Sequence, residues 1–299
     1  MSSRVLGIDV GGTSMKAAIR SRRADGAVGD AEHAVRRPTP PDETAADALA
    51  EFAESLIKEQ GPVDAVGLAV PGIVDDAAGV AEFSVSPTWR DLPLRAAMAE
   101  RLGVPVALGH DTRIGGLAEG RVGAATGCSD YLFVTLGTGV GGMLCLDGSP
   151  RLGPHHRAGE LGHVVIDPRG VECGCGQRGC LETLASATAI SRMYGDGVTA
   201  RDVAARAARG EQRASEVWQV AVSALATALA HAVTLLDLDL VVLGGGVAQA
   251  GDLLLGPVRR ELSARLTFQR VPEIARAALG DEAAVLGAAL IAFDLIGKS

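Results

Sequence analysis

Two carboxylates, one histidine and three cysteines fall within 24 residues of this chain, between Gly159 and Glu182. The stretch reads Gly-Glu-Leu-Gly-His at 159–163 and Cys-Gly-Cys-Gly-Gln-Arg-Gly-Cys-Leu-Glu at 173–182. Thiolate and imidazole are the ligands that zinc prefers, and three cysteines with one histidine complete a tetrahedral site without an open position. We therefore predict a structural zinc site with the ligands His163, Cys173, Cys175 and Cys180.

A disulfide and a set of buried thiols remain open as alternatives on spacing alone. Cys173 and Cys175 are too close in sequence to bond to each other easily, and a disulfide from either one to Cys180 leaves one thiol over. The spacing is also not one of the common zinc-finger spacings. His155 and His156 precede the stretch, but the set of three cysteines and one histidine is already complete, so we expect both in a solvated loop.

Glu160 and Glu182 stand beside the predicted ligands, so a bound metal would hold both side chains in place. Each carboxylate oxygen accepts hydrogen bonds from hydroxyl groups. Carboxylates fixed on such a loop therefore suit a polyol.

Two strand–turn–strand segments have the composition of phosphate-binding hairpins. The first strand ends near Asp9 and turns at Gly11–Thr13, and the second segment, 131–146, turns at Gly137–Gly139. Glycine lets backbone N–H groups approach a ligand closely, and such turns can cradle phosphate oxygens. A plain β-hairpin is the alternative for each turn, but their similarity suggests duplicated halves and favours phosphate. The pattern of a P-loop does not occur.

The strand predicted over 104–108 is followed by His110 and Asp111, and a helix starts at once. Open α/β sheets bind ligands beyond the carboxyl ends of their strands, which is where Asp111 falls. An aspartate at a helix start is also a routine N-cap, so this position alone does not decide its role.

Two other strand ends and one connecting segment are further candidates for a ligand site. A buried-type strand over 63–70 leads to Gly72, and residues 83–89 are predicted to form a loop that could line a ligand. The strand over 239–243 ends in three glycines, a turn that can lie against a flat base and a ribose, although the signal is weak by itself.

Composition narrows the class of protein. The chain has 299 residues, 47% of them hydrophobic and only 3% aromatic, which is typical of a soluble α/β protein long enough for two domains. The net charge of −8 argues against a nucleic-acid or anionic membrane surface. No signal peptide is evident, and polar residues interrupt the apolar stretch 217–236, which predicts a buried helix. Five cysteines, an odd number, fit a reducing cytosol.

The alternation of strands and helices predicts two α/β domains. We place an N-terminal domain at 1–112, where the first series of βα units closes, and a C-terminal domain with the metal loop at 113–281. The last helix, about 282–296, contains Gly-Ala-Ala from Gly287 onward, small residues that allow close packing.

Taken together, the chain resembles the ROK family of sugar kinases and sugar-responsive repressors along nearly its whole length. The metal-loop signature is highly specific, and the shared order of the other segments argues against a chance match. The matching segments are Asp9-x-Gly11-Gly12-Thr13-x-x-Lys16, Asp111, Leu136-Gly137-Thr138-Gly139, Glu160–His163, Cys173–Glu182 and Gly244-Gly245-Gly246.

The resemblance implies the actin-like ATPase (ribonuclease H-like) fold, in which two α/β domains close on ATP and a sugar around a central cleft. In that architecture the last helix returns to pack on the N-terminal domain. The implied reaction is phosphoryl transfer from Mg²⁺-bound ATP to a hexose hydroxyl, most often at C6. Positioning and charge stabilisation dominate such catalysis.

The resemblance also implies a role for each matching residue. Asp111 matches the catalytic base, which takes the proton of the attacking hydroxyl. Asp9, Lys16 and the glycine turns would hold Mg²⁺ and the nucleotide. Sugar hydroxyls would be bound by Gly72, His110, Asp111, Glu160, His163 and Glu182. His163 would use one ring nitrogen for zinc and the other for the sugar, so loss of the metal would release the sugar-binding side chains.

One position departs from the family pattern. Kinases of the family commonly have asparagine before the catalytic aspartate, and this chain has His110. Neutral histidine also offers one donor and one acceptor, on a larger ring. The catalytic interpretation stands, while the identity of the sugar is less well defined, and a packed His110 that points away from the sugar is the alternative.

Glucose is the first choice of acceptor, ahead of N-acetylglucosamine and N-acetylmannosamine. Pocket volume near the sugar C2 substituent decides among them, and a sequence does not show that volume. ATP is the expected donor, with polyphosphate as the alternative. The resemblance implies a cytoplasmic homodimer, with a tetramer as the alternative, and no nucleic-acid or membrane partner.

Two other classes of function fit the sequence less well than a kinase. Repressors of the family carry an N-terminal winged helix-turn-helix, for which the segment before Asp9 leaves no room. A non-catalytic sugar-binding protein disagrees with the intact Asp9, Thr13, Asp111 and Thr138. We therefore expect an enzyme.

Overall fold

The computed structural model describes residues 3–23 and 26–297, and the chain forms two compact units. Unit 1 contains the chain up to Ala118 together with the segment from Asp281 onward, and unit 2 contains Glu119–Gly280. The first division falls after Ala118, whereas the sequence placed it after residue 112. The helix that begins at Asp111 continues through unit 1 because Ile114 packs in the core of that unit.

The described residues of unit 1 form eight strands: β1 (Arg4–Val10), β2 (Ser14–Ser21), β3 (Glu32–Pro38), β4 (Ala65–Val70), β5 (Ile73–Asp75), β6 (Val80–Val85), β7 (Thr88–Leu92) and β8 (Val106–His110). Five of them form one sheet in the order β3-β2-β1-β4-β8. β2 is antiparallel to β1 and β3, whereas β4 is parallel to β1 and β8. Every residue of β4 is buried, as in a parallel strand covered on both faces.

The remaining three strands form a small antiparallel sheet in the order β5-β6-β7. The predicted loop at residues 83–89 is therefore wrong, because Phe83 pairs with Arg90 and Ser84 with Trp89 in a β-hairpin. Only residues 86 and 87 form the turn, and this Ser-Pro pair gave the segment the appearance of a loop.

The helices of the chain are α1 (Ala45–Gln60), α2 (Leu94–Leu102), α3 (Asp111–Val122), α4 (Glu182–Ala185), α5 (Ala187–Tyr194), α6 (Ala200–Ala208), α7 (Gln212–Leu236), α8 (Gly245–Ala248), α9 (Asp252–Arg265) and α10 (Ala283–Gly297). α10, the last of them, packs across β1, β4 and β8 in unit 1. Gly7 and Gly67 permit the close approach, because a Cβ on either residue would overlap a backbone oxygen of α10.

Unit 2 repeats the architecture of unit 1. Its strands are β9 (Tyr131–Leu136), β10 (Val140–Leu146), β11 (Ser149–Pro150), β12 (Leu240–Gly244) and β13 (Glu273–Arg276), and their order is β11-β10-β9-β12-β13. β10 is antiparallel to β9 and β11, whereas β12 is parallel to β9 and β13. Both sheets thus begin with a glycine hairpin, β1–β2 or β9–β10, as duplicated halves would.

α7 is the long apolar helix of unit 2. Among the described residues it is the helix whose length and composition match those of a membrane span. One face of α7 packs against α4, α5, α6 and α9, and Trp218 and Leu229 are among its buried residues. The helix thus has the packing of a core helix of unit 2, as the interrupted apolar pattern predicted.

A buried carboxylate joins the start of unit 2 to its end. Glu119 is fully buried, and its carboxylate accepts backbone hydrogen bonds from Ala124 (2.7 Å), Ala278 (3.1 Å) and Leu279 (2.8 Å). Three N–H donors satisfy a charge that burial alone would make very unfavourable. The segment that leads to Asp281 is therefore fixed to the end of α3.

Candidate functional site

The carbonyl groups of the first glycine turn, between β1 and β2, accept hydrogen bonds from neighbouring segments. Thr39 donates through its hydroxyl to Gly11 O (2.8 Å) and through its N–H to Thr13 O (3.1 Å), and Ser86 Oγ donates to Gly12 O (3.3 Å). Among the described residues, nothing accepts a hydrogen bond from the N–H groups of Gly12 and Thr13. The turn therefore presents two backbone donors, as an anion site requires.

The end of β1 carries a buried acid beside this turn. Asp9 pairs with Lys16 across the hairpin, with 3.9 Å between Oδ2 and Nζ, and Lys16 also donates to the carbonyl oxygen of Asp281 (3.4 Å). Burial raises the pKa of Asp9 from 3.8 to about 7; the charge of Asp111 adds to this effect, and Lys16 opposes it. A cation at Asp9 would reverse that balance, so the residue fits a site for a divalent metal ion.

The carboxylate of Asp111 stands at the first position of α3, directly after β8. Its Oδ1 atom accepts hydrogen bonds from the N–H and the hydroxyl (3.1 Å) of Thr112, whereas Oδ2 receives none from the described residues. His110 Nε2 lies 3.4 Å from Asp111 Oδ1, and His110 Nδ1 is buried without a hydrogen-bond partner. Asp111 is thus oriented through one oxygen, and the other can accept a proton.

Sequence reasoning missed the ion pair that holds this helix start. Arg113 is buried and donates to Val74 O (2.9 Å) and to Asp76 Oδ1 (2.7 Å). It therefore fixes the first turn of α3, including Asp111, to β5 and the residue that follows it. The available signal was an arginine beside the apolar stretch that begins at Ile114, but the sequence gave no indication of its partner.

Gly72 lies between β4 and β5 and has a positive φ of 91°. A Cβ at this position would overlap the carbonyl oxygen of Phe83. This backbone geometry explains why residue 72 is a glycine. Its predicted contact with a substrate stays a prediction.

The carbonyl groups of the second glycine turn, between β9 and β10, also accept hydrogen bonds from a neighbouring segment. Ala187 N–H donates to Gly137 O (2.8 Å), and Thr188 Oγ1 donates to Thr138 O (2.8 Å). Both donors belong to the first turn of α5. No described residue accepts from the N–H groups of Thr138 and Gly139, so this turn also offers two donors.

The glycine run after β12 lies beside the second turn. Gly245 has a φ of 82°, and a Cβ there would collide with the backbone of Leu136, the last residue of β9. Gly246 faces open space, and Gly244 ends the strand. Unit 2 therefore brings together the two glycine segments that the sequence assigned to a nucleotide.

The four predicted zinc ligands form one cluster in unit 2, with all ligand atoms within 4.8 Å of one another. Cys173 Sγ lies 3.7 Å from His163 Nδ1, and Cys175 Sγ lies 3.7 Å from Cys180 Sγ. A tetrahedron with metal–sulfur bonds of about 2.3 Å has edges of about 3.8 Å, which these separations match. They are too long for a disulfide, and all three cysteines are free.

The chemistry of this cluster also favours a cation. Burial, followed by the neighbouring Cys175 and Cys173, raises the pKa of the Cys180 thiol to about 12. Three thiolates at this spacing therefore need a positive charge among them. The residues fit a tetrahedral zinc ion, and His155 and His156 lie outside the cluster.

The two predicted sugar-binding glutamates have different surroundings. Glu160 is exposed, and its carboxylate has no partner among the described residues. Glu182 follows Cys180 by two residues; its Oε2 accepts the N–H of Val140 (2.9 Å), and its Oε1 lies 3.9 Å from Cys173 Sγ. Glu182 thus contacts both the cysteine cluster and the second glycine turn.

Comparison with known proteins extends these findings along the whole chain. A profile described as the ROK family matches residues 5–294. The chain is 32% identical to a glucokinase of Thermotoga maritima, over 98% of each chain. It is also 32% identical to a kanosamine kinase of Amycolatopsis mediterranei, over 96% of this chain and 95% of that one.

A solved structure gives the corresponding similarity in three dimensions. The structure of a ROK family glucokinase from Streptomyces griseus in complex with glucose and AMPPNP aligns with a TM-score of 0.83 and 28% identity. The alignment covers 98% of this chain and 100% of that one. This similarity confirms the predicted fold class, the actin-like ATPase fold.

Proposed function

Because the chain belongs to the ROK family, we propose that it is an ATP-dependent hexose kinase, a phosphotransferase with an alcohol group as acceptor. The similarity to glucokinases over nearly the full chain supports glucose as the acceptor and ATP as the donor. C6 is the proposed hydroxyl. The observation that carries the proposal is Asp111, whose Oδ2 atom is left without a donor while Oδ1 is held by Thr112.

The proposed chemistry needs one proton acceptor. As the sugar oxygen forms its bond to the γ-phosphorus, its proton passes to Asp111, and the bond to the β,γ-bridging oxygen breaks to leave ADP. The hydroxyl becomes more acidic as the new bond forms, so a carboxylate can accept its proton. Arg113 keeps the helix start, and with it Asp111, in position.

The phosphates and their metal are assigned to two regions. In unit 1, Asp9 would hold Mg²⁺, with Lys16 and the N–H groups of Gly12 and Thr13 nearby. In unit 2, the donors would be the N–H groups of the second turn, with Gly244–Gly246 beside the nucleotide. Bound Mg²⁺ neutralises phosphate charge, and these residues would position it.

Sugar hydroxyls are assigned to Glu160, His163 and Glu182 in unit 2, and to Gly72, His110 and Asp111 in unit 1. The clustered cysteines and His163 support a structural zinc ion, which would fix the loop that carries both glutamates. His163 faces the cluster through Nδ1, which leaves Nε2 for a hydroxyl. We further propose a cytoplasmic homodimer, with a tetramer as the alternative.

An ADP-release assay with Mg-ATP tests the proposal. The acceptor panel contains glucose, N-acetylglucosamine, N-acetylmannosamine, mannose, fructose, allose and kanosamine, and polyphosphate replaces ATP in a parallel series. We expect the highest kcat/KM with glucose. Preference for an N-acetylhexosamine would support the alternative kinase, and sugar binding by calorimetry without turnover on any acceptor would contradict the kinase.

Asp111→Asn is the matched variant for this assay. It removes the proton acceptor but keeps the size of the side chain, so sugar affinity should persist while kcat falls by at least ~10²-fold. Near wild-type turnover would contradict the assignment of Asp111 as the base. Asp64→Asn, which changes an acid at the start of β4 outside the assigned residues, is the control.

A further inference from the structure

A short segment of unit 2, residues 180–188, connects the cysteine cluster to the second glycine turn. It begins at the ligand Cys180, continues through α4 and ends in the first turn of α5. Only Leu181 separates Cys180 from Glu182, and Leu181 is fully buried. The position of Cys180 therefore largely determines the position of Glu182.

Glu182 touches the turn at the start of β10. Its Oε2 atom accepts the N–H of Val140 at 2.9 Å, a hydrogen bond to a charged acceptor, which is stronger than one between neutral groups. Gly139 lies against the same oxygen so closely that a Cβ would overlap it. The carboxylate thus occupies the space that a side chain at 139 would fill.

The end of the segment supports the other side of the turn. Ala187 N–H and Thr188 Oγ1 hold the carbonyl oxygens of Gly137 and Thr138, as described above. Three consecutive turn residues and Val140 therefore take their arrangement from residues 182–188.

The loop that enters the cluster packs on the same strand. A Cβ on Gly162 would overlap Val140 O, and a Cβ on Gly142 would overlap Gly159 O. Gly162 directly precedes the ligand His163. The metal loop therefore contacts the first residues of β10 before the cluster as well as after it.

We propose that Glu182 is a positioning residue through which the metal site controls the second glycine turn, so that loss of the metal weakens binding of the nucleotide phosphates as well as of the sugar. This inference rests on the proposed kinase function. With the metal in place, the loop holds the carboxylate on Val140 N–H. Without the metal, the turn loses this support, and a mobile negative charge next to phosphate oxygens repels them.

Hydrogen exchange tests the connection without reference to catalysis. We compare the backbone amide of Val140 in the wild-type chain and in Cys175→Ser, which removes the most exposed ligand, with metal content measured on each sample. Cys128→Ser, a free cysteine outside the cluster, is the matched control. Wild-type protein treated with a zinc-selective chelator gives the same comparison without a substitution.

We expect exchange at Val140 to accelerate at least roughly tenfold when the metal is removed, and to be unchanged in Cys128→Ser; loss of a charged hydrogen bond of about 1.4 kcal/mol has that effect. Unchanged exchange in metal-free samples that keep the secondary structure of unit 2 would overturn the proposal. A wild-type chain without metal would overturn it as well.

Nucleotide affinity supplies the second measurement, made by calorimetry with Mg²⁺ and a non-hydrolysable ATP analogue, without sugar. Glu182→Ala should weaken binding at least roughly tenfold, the equivalent of about 1.4 kcal/mol. Glu172→Ala is the matched control on the same loop, because Glu172 is exposed and pairs with Arg178. Equal affinities of the Glu182 variant and the wild type would contradict the positioning role.

A substitution at Gly139 disturbs the contact with Glu182 sterically and keeps the charge of the carboxylate. Gly139→Ala should displace the Glu182 side chain and accelerate exchange at Val140 as metal removal does. If the wild-type chain binds no ATP analogue, the proposed function fails, while the exchange experiment still decides whether the metal site supports the turn.

Discussion

The two glycine turns occupy the same place in their sheets but are held by different means. In each, the carbonyl oxygens are bound by the protein, and two N–H groups remain without protein acceptors. In unit 1 the support comes from Thr39 and Ser86, which follow β3 and β6. In unit 2 it comes from one continuous segment that begins at Cys180, a predicted zinc ligand.

The turns also differ in charge. β1 carries its own acid and base, Asp9 and Lys16, within the hairpin, whereas the corresponding end of β9 has Thr135 opposite Gly141. Among the described residues, Glu182 brings a carboxylate to the second turn from outside the hairpin. The first turn is therefore suited to a cation with phosphates and the second to phosphate oxygens alone. One repeated backbone design can thus be specialised by a few side chains around it.

The largest effect is expected from Asp9→Asn, which removes the acid that the hairpin of the second turn lacks. We expect kcat to fall by at least ~10²-fold, because the assigned metal ligand is lost. The stability of the variant, in contrast, should be higher than that of the wild type at high pH. Protonated Asp9 contributes stability that is fully present below pH 3.8 and is lost as the pH rises through about 7.

At pH 8 the variant should therefore unfold less readily than the metal-free wild type, by at most about 4 kcal/mol. Trp89 reports on unit 1 and Trp218 on unit 2, and the chain has only these two tryptophans. Denaturation followed through Trp89 in a Trp218→Phe background measures the change. A wild-type stability that rises between pH 4 and 7, or a variant with the same slope, would contradict the buried acid; Asp42→Asn is the control.

Lys16→Met tests the charge on the opposite strand. Lys16 lowers the pKa of Asp9, so its removal should raise that pKa further and move the acid limb of the activity profile to higher pH. We also expect Mg-ATP affinity to fall roughly tenfold through loss of one phosphate-binding cation. Lys58→Met, at an exposed lysine of α1, should leave both properties unchanged. An unshifted pH profile would contradict the effect of Lys16 on the pKa of Asp9.

A matched pair of threonines compares the supports of the two turns. Thr39 is buried and Thr188 is exposed, yet each donates a hydroxyl hydrogen bond of 2.8 Å to a turn carbonyl. Thr39→Val should lower the free energy of unfolding of unit 1 by about 1–3 kcal/mol, because it leaves the partly buried carbonyl oxygen of Gly11 without its donor. Thr188→Val should cost unit 2 about 0.5 kcal/mol, since water replaces the donor. Equal losses in the two tryptophan signals would show that burial does not distinguish the supports.

The smallest change in stability is expected from Gly137→Ala. Its φ is not positive, and a Cβ there meets no other atom within 4 Å. Stability should therefore stay within about 0.5 kcal/mol of the wild type, while the methyl group obstructs a phosphate on the turn and weakens nucleotide affinity. Gly245→Ala, which collides with Leu136, should instead destabilise unit 2. Unchanged nucleotide affinity in a stable Gly137→Ala variant would contradict the assignment of this turn to the nucleotide site.

The sequence predicted the features that depend on local spacing. The four clustered residues, the two glycine hairpins and the position of Asp111 after a strand all lie within short segments, and the fold class followed from the family resemblance that these segments carry. Zinc, magnesium and the role of each site residue stay predictions.

Apart from the hairpin at residues 83–90, the features that the sequence did not predict are contacts between distant segments. The partnership of Arg113 with Asp76 spans 37 residues, and that of Thr39 with Gly11 spans 28. Glu119 binds amides nearly 160 residues away. Each is set by the packing of elements whose relative positions a linear pattern does not contain, so no local signal identifies the partner.

The position of α10 has a consequence for the order in which the protein can fold. The core of unit 1 around Val5 and Ala65 is completed by Ala289, Ala292 and Phe293, which are synthesised long after β1 and β4. At about 5–20 residues per second, a ribosome needs roughly ten seconds or more to proceed from β8 to α10. During that time unit 2 can fold completely, while the unit made first waits with an apolar face of β1 and β4 uncovered and open to a chaperone.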